Sequence, residues 1–294
     1  MLRSQARAAH LGVALLLVVG VAACGSQVSP GAVAPNRSEA SPTVAAGGDP
    51  SRLVATWTVS SPSASTGDIV IIGDRVDGGL ELFLRCGLMF GGWRANSDGM
   101  FVASEDGGDG SCFASRKNDP WPTWLDAVGF SYDGDDALLL SGDGTVLARL
   151  TPGGHPTTGP NDSPEFASPP AVSDDLRANF AEPAPLPSGV NAATAADIQG
   201  RWVPVDRSPA DAYVEFKSRN AYDGSDGCNG TGGRYVMGDG GVILATSGNS
   251  TAVGCDNSPL PNWPAAAGRL GLRGGHLIFV DPHGKELGEA LRAS

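Results

Sequence analysis

An internal repeat constrains the fold of this 294-residue chain more than any other feature of its sequence. Cys86 lies seven positions before Trp93, and Cys228 lies seven positions before Tyr235. The run "SDGMFVAS" in the first copy aligns without a gap on "DGGVILAT" in the second. Matched spacings of this kind are typical of a duplicated structural unit. The sequence therefore predicts two related tandem domains of about 100 residues each.

Both copies contain short apolar runs separated by turn residues. The runs "LELFLR", "MFVA", "ALLL", "VILA" and "LIFV" are bounded by Gly, Asp or Asn, a pattern typical of buried β-strands. The stretches "SGDG", "GDGG" and "DPHG" have the composition of hairpin turns. We expect one short helix in each copy, near residues 124–128 and 263–270. The predicted fold class is mainly β (α+β), with two small antiparallel β-sheet or half-barrel domains, each with one short helix.

The chain before and between the two copies has a different composition. Residues 25–49 and 152–193 are rich in Ser, Pro, Ala and Gly and contain few large apolar side chains, which is typical of tethers and linkers. One short helix is expected near 173–180. The predicted organisation is a signal peptide (1–23), a lipidated Cys with a disordered tether (24–49), the first domain (50–151), a linker (152–193) and the second domain (194–294).

The charge of the chain excludes one large class of partner. It has 20 Lys and Arg against 32 Asp and Glu, a net charge of −12. Binding of nucleic acid needs clustered basic side chains that neutralise phosphates, so we expect no nucleic-acid partner. An acidic protein is not attracted to an anionic membrane surface either. Any membrane attachment must therefore come from another source.

The N-terminus supplies such a source. Arg3 and Arg7 precede an apolar stretch, 11–23, that suits the core of a signal peptide and is too short to span a bilayer. The small residues before Cys24 resemble a bacterial lipobox. This resemblance implies cleavage before Cys24, thioether lipidation of its sulfur with a lipid that carries acyl chains such as palmitate, and anchoring on the extracytoplasmic face of the cell membrane. The alternative is an ordinary signal peptide, with Cys24 a spare thiol.

The other four cysteines lie two in each copy. Disulfides persist outside the cytoplasm, and four cysteines allow three connectivities. The repeat favours pairing within each copy, Cys86 with Cys112 and Cys228 with Cys255, because each domain then has an equivalent cross-link. Unpaired buried thiols are the alternative. A zinc site is disfavoured, since the spacing has no C-x-x-C and no His accompanies the pairs.

The second copy resembles the META/HslJ domain family. The residues that carry the resemblance are "GRW" at 200–202, "DGCNGTGGRY" at 226–235 and "STAVGC" at 250–255. The resemblance implies a compact β-rich domain with a helix, in envelope or secreted proteins linked to stress and antibiotic tolerance, and it implies no known enzyme activity. The first copy looks divergent, because Gly87 stands where the second has Asn229.

The sharpest candidate for a binding site is the turn Gly227-Cys228-Asn229, followed by Tyr235. In one interpretation it is a ligand-contacting loop formed by Gly227, Asn229 and Tyr235. In the other it is structural, because Gly permits a positive φ, Asn bonds the backbone and Cys cross-links the turn. The residues leave both interpretations open.

Other chemistries have weaker support. The acidic runs at 105–110 and 133–136 contain oxygen ligands suited to Ca²⁺ but lack EF-hand spacing, so we interpret them as solvated turns, with a calcium site as the alternative. The sequence has no G-x-S-x-G, H-E-x-x-H or P-loop motif. We therefore assign no catalytic residue, no metal ligand and no cofactor, and predict that the protein is not an enzyme.

The sequence thus predicts an envelope protein held to the membrane through Cys24. Its expected role is non-covalent binding of a protein or small ligand, linked by the family resemblance to envelope stress or antibiotic tolerance. The alternative is an inhibitor of a secreted hydrolase presented at the cell surface. Neither the ligand nor the domain that binds it is identified by the sequence.

Overall fold

Eight antiparallel strands of the first copy form one sheet in the computed structural model. The structure describes residues 47–64, 67–74, 79–115, 122–159, 162–209 and 211–293, so the signal peptide, Cys24 and most of the tether lie outside the described residues. The strands are β1 Ala55–Ser60, β2 Ile69–Ile72, β3 Gly79–Leu84, β4 Gly87–Ala95, β5 Phe101–Gly108, β6 Gly129–Asp133, β7 Asp136–Leu140 and β8 Val146–Pro152. Their order is β5-β4-β3-β2-β1-β8-β7-β6, and a bridge between Met100 and Gly129 brings the two edges together.

The second copy forms a sheet with the same strand order. Its strands are β10 Gly200–Pro204, β11 Ala212–Lys217, β12 Ala221–Asp226, β13 Gly230–Met237, β14 Ile243–Ala245, β15 Arg269–Arg273, β16 His276–Val280 and β17 Glu286–Arg292. A two-residue strand, β9 Asn191–Ala192, adds to β15 at the edge. The order is β14-β13-β12-β11-β10-β17-β16-β15-β9. The prediction of a mainly β fold built from small antiparallel sheets is confirmed.

The helices are short and more numerous than predicted. They are α1 Gly110–Ser115, α2 Asp174–Asn179, α3 Ala195–Ile198 and α4 Trp263–Ala266, with 3₁₀ turns at Pro50–Leu53, Thr123–Asp126, Pro164–Ala167, Asp239–Gly241 and Leu260–Asn262. The expectation that one helix extends to Leu270 is wrong. Ala267 is already extended, and Leu270 pairs with Phe279 in the ladder of β15 and β16, which requires extended backbone.

Each domain has its own disulfide, and the predicted pairing is confirmed. Cys86–Cys112 joins the turn between β3 and β4 to α1, and Cys228–Cys255 joins the turn between β12 and β13 to the loop after β14. The bonds span 26 and 27 positions. In the chain-entropy model a loop of this length contributes about 3.5 kcal/mol to stability.

The segment between the two copies packs on both sheets, so it is not a free linker over the residues described. Phe166 packs against a cluster around Ile71, and Leu176 is buried in the core of the first sheet. Further along, β9 pairs with β15 of the second sheet. Composition missed this because a few apolar side chains are enough to dock an otherwise polar segment. The short helix does lie at the expected place, where α2 is capped by the Ser173 hydroxyl.

The outer faces of the two sheets meet in a small apolar cluster. Met100, Val102 and Val128 of the first domain pack with Val236 and Val242 of the second. Side chains alternate between the two faces of a strand, so these residues lie opposite the cores. The two domains are therefore parts of one compact unit. Among the described residues, no helix has the length and apolar character needed to cross a membrane.

Candidate functional site

The Asn229 side chain in the turn between β12 and β13 has no polar atom left over for a ligand. Its Nδ2 donates to Asp226 Oδ2 (3.0 Å) and to the Val253 carbonyl (2.9 Å). Its Oδ1 accepts from the Thr251 hydroxyl (2.9 Å) and the Val253 N–H (2.6 Å). A carboxamide offers two donor hydrogens and two acceptor lone pairs, and all are used in a residue that is 6% exposed. These contacts favour the structural interpretation of the turn.

Asp226 and Gly227 shape the same turn. Asp226 Oδ1 accepts from the backbone N–H groups of Cys228 (2.8 Å) and Asn229 (2.6 Å). The hydrogen bonds from Asn229, backbone first and side chain second, lower the pKa of Asp226 to about 2. Gly227 has φ +105°, and a Cβ there would lie 2.5 Å from Pro209 Cγ. Glycine is therefore needed at this position for both conformation and space.

Tyr235 lies in the core of the second domain. It is 2% exposed, and its ring packs edge-on against Phe216 at 5.1 Å. Its hydroxyl accepts from Gln199 Nε2 (2.7 Å) and donates to the Lys217 carbonyl (3.3 Å). Burial raises the pKa of Tyr235. The structure thus gives each of the three residues proposed for the ligand loop a role in packing or in the turn.

The interpretation of the acidic run 105–110 as a solvated turn is wrong over its first part, because 105–108 belongs to β5 and Asp106 is half-buried, whereas the run 133–136 does connect β6 to β7. Arg149 pairs with Asp133 (2.8 Å) and Asp136 (2.6 Å), as expected of a solvated turn. In the described part of the chain, one group of potential metal ligands lies close together, Asp226 with Cys228 and Cys255. Both sulfurs are in the disulfide, so they are not thiolate ligands.

A cleft of about 410 Å³ lies where the two sheets meet the segment around α2. Its walls come from β4, β5, the end of α2 and the chain that follows β14. Its lining includes Phe90, Gly92, Arg94, Asp106, Asn179, Phe180 and 246–249. Pockets that hold small molecules commonly have volumes of about 300–1,000 Å³, and the surface that lines this cleft is more polar than apolar.

The two copies differ at equivalent positions of the junction beside the cleft. Counting from the first cysteine of each copy, Gly92 occupies the position of Arg234. The Arg234 side chain crosses the junction and pairs with Asp126 at 2.8 Å. Gly92 has no side chain, and a Cβ there would lie 3.5 Å from the Thr246 Cβ across the junction. One junction position therefore holds an ion pair, whereas its counterpart lets the backbone of β4 approach Thr246 closely.

Arg94 is the cation of the cleft. It is half-buried on β4, two positions beyond Gly92 and thus on the same outer face. No acidic side chain among the residues described forms an ion pair with it. Burial lowers the pKa of Arg94, and nearby Tyr222 opposes this shift. Arginine nevertheless stays protonated in proteins, so the wall of the cleft carries a partly desolvated charge.

Asp106 lies in the same cleft, and its pKa is raised to about 6. Burial is the main cause, and the Glu105 carboxylate adds to it. Hydrogen bonds from the Ser104 hydroxyl (3.1 Å) and the Gly92 N–H act in the opposite direction. Perturbed titratable groups are concentrated at functional sites.

No family model, curated protein or solved structure matches this chain. The resemblance of the second copy to the META/HslJ family therefore stays a proposal that rests on the motifs quoted above.

Sequence reasoning missed Arg94, and it considered Asp106 only as part of the acidic run 105–110. A signal for Arg94 exists in the repeat, since it occupies the position of Val236, which packs in the apolar cluster between the sheets. An arginine in place of an outward-facing apolar residue indicates a change of role. The contacts across the junction are tertiary, so spacing within one copy did not show them.

Proposed function

We propose that this protein is a lipid-anchored binding protein on the extracytoplasmic face of a bacterial cell membrane, and that its ligand occupies the cleft between the two sheets. The observation that carries the proposal is the Arg94 guanidinium, desolvated on the wall of an open cleft without an acidic partner among the described residues. A buried charge is costly unless it is paired. A ligand that pairs with the Arg94 guanidinium would account for an unpaired, desolvated charge on the wall of the cleft.

The rest of the proposal rests on the sequence. Attachment through Cys24 follows from the lipobox resemblance, with acyl chains as the anchor. A place in envelope stress or antibiotic tolerance follows from the resemblance to META/HslJ domains. In this proposal the protein holds its ligand non-covalently and does not transform it.

Binding is tested with a library of small molecules and the purified whole protein, by thermal shift and then calorimetry. Asn179→Trp places a large ring on a lining residue, whereas Ala178→Trp changes the neighbouring exposed residue of α2, which does not line the cleft. We expect compounds whose binding is saturable, is lost in Asn179→Trp and is retained in Ala178→Trp. A library in which no compound shows this pattern would refute the proposal.

The second candidate function is inhibition of a secreted hydrolase, and one surface loop favours it. Val253 is 60% exposed, more than any other large apolar side chain among the described residues. Its backbone is bonded to Asn229 on one side, and Cys255 is cross-linked to Cys228 just beyond it. A rigid loop with an apolar tip suits insertion into a partner, because little flexibility is lost on binding.

This alternative predicts a stoichiometric inhibitor. Adding the protein to envelope hydrolases would abolish one activity at a 1:1 ratio, and Val253→Asp would restore it. Inhibition that survives Val253→Asp would refute this role for the loop.

A further inference from the structure

We propose that the ligand of the cleft is a small organic acid, whose single carboxylate pairs with Arg94 and whose apolar part packs against Phe90 and Phe180. This inference rests on the proposed function, because it names the chemical class that the same cleft takes.

The first step concerns the charge of Arg94. Two other arginines at buried or half-buried positions are paired within the protein, Arg234 with Asp126 (2.8 Å) and Arg269 with Glu182 (3.0 Å). Arg269 also donates to three backbone carbonyls. In contrast, Arg94 forms no ion pair with any residue that the structure describes. The guanidinium fork matches the two oxygens of a carboxylate, so a carboxylate ligand supplies the missing partner.

The second step concerns how many charges the ligand carries. Asp74 and Asp106 also line the cleft, and Glu105 acts on Asp106. The described residues of the lining supply one guanidinium and two carboxyl groups, so each extra negative charge on a ligand would have no basic partner among them and would be repelled. The lining therefore favours a monoanion over phosphate or a dicarboxylate.

The third step concerns the rest of the ligand. Phe90 and Phe180 both line the cleft and are half-buried. Phe180 is held against Trp93, with ring centroids 5.9 Å apart. Aromatic side chains in such a position pack well against an apolar or aromatic group. Gly92 lies between Phe90 and Arg94 on the same face of β4, and all three residues line the cleft.

The probes are phenylacetate and hydrocinnamate, each compared with its neutral amide, together with acetate and inorganic phosphate. Calorimetry on the whole protein should show saturable binding of the aromatic acids. Their amides should bind at least about tenfold more weakly, the factor expected when a charge-assisted hydrogen bond is lost. Acetate, which lacks the ring, and phosphate, which carries more charge, should both bind more weakly than the aromatic acids.

Arg94→Met and Arg234→Met are the matched variants. Arg94→Met should abolish the preference for acid over amide, and it should raise the melting temperature of the free protein because it removes a desolvated, unpaired charge. Arg234→Met should lower the melting temperature only slightly, because Asp126 is 63% exposed and water replaces its partner, and it should retain the preference for the acid. A merely structural Arg94 would instead give a lower melting temperature when substituted.

Several results would each overturn the inference. Among them are equal affinity for acid and amide, an acid preference that survives Arg94→Met, and no saturable binding of either aromatic acid. This inference can fail while the proposed function holds. That would be the result if only a neutral compound bound and its binding were lost in Asn179→Trp, because the cleft would then be a binding site whose ligand is not an acid. Tighter binding of phosphate than of the aromatic acids would assign the cleft to an inorganic anion instead.

Discussion

Replacing Asn229 with Ala distinguishes a structural turn from a ligand-contacting loop. The substitution removes four hydrogen bonds, two of them to the Val253 backbone, one from Thr251 and one to Asp226. Each contributes about 1 kcal/mol net, so their sum is about 4 kcal/mol. Val253 is largely exposed, so water replaces part of this loss. We expect the free energy of unfolding to fall by about 2–3 kcal/mol.

The assay is urea unfolding followed by tryptophan fluorescence, with both disulfides intact. Asn257→Ala is the control, because exposed Asn257 donates a single hydrogen bond to Asp226 at 3.2 Å. Its loss should be about 0.5 kcal/mol. If Asn229→Ala is as mild as Asn257→Ala, the buried amide does not stabilise the turn, and the reasoning from its four contacts is wrong.

Three further predictions concern other parts of the chain. Cys24→Ala should release the protein from the membrane fraction of its bacterial host, and persistent association would contradict the lipobox interpretation. Mild reductant should open Cys228–Cys255 before Cys86–Cys112, because Cys228 and Cys255 are both exposed whereas Cys112 is buried. The order of reduction is measured by mass spectrometry of alkylated peptides, and the reverse order would contradict the idea that exposure governs access. The pKa of Asp106 is about 6 in the folded protein against an ordinary value of 3.8, so its ionisation makes the fold less stable as the pH rises from 4 to 6. Asp106→Asn should therefore be more stable than the unsubstituted protein at neutral pH and should lose that advantage near pH 4. A difference in stability that stays constant with pH would contradict the raised pKa.

The repeat and the alternation of apolar residues predicted much of the fold. Two copies with matched spacing form sheets with the same order of eight strands, and the cysteine pair in each copy forms a disulfide. Strand patterns are readable because one face of each strand must be buried. The predicted helix up to Leu270 was wrong, since pairing of β15 with β16 overrode the local pattern.

The docked segment and the cleft were not predictable in the same way. Composition marked 152–193 as a linker, although Leu176 and Phe180 dock it on the first domain. The cleft lies at the junction, where Gly92 of one domain faces Thr246 of the other. Nothing in the pattern of one strand indicates what faces it from another domain. Sites between repeats are therefore found by comparing the copies at outward-facing positions.

Mapping of a bound ligand by amide chemical shifts is the measurement that decides where this protein binds. The probe is the tightest-binding compound of the small-molecule library, titrated into uniformly labelled whole protein. The cleft model predicts the largest shifts at Gly92, Arg94, Asp106 and Gly248, which line the cleft. Shifts centred on Asn229 and its turn, with none at those four residues, would contradict it.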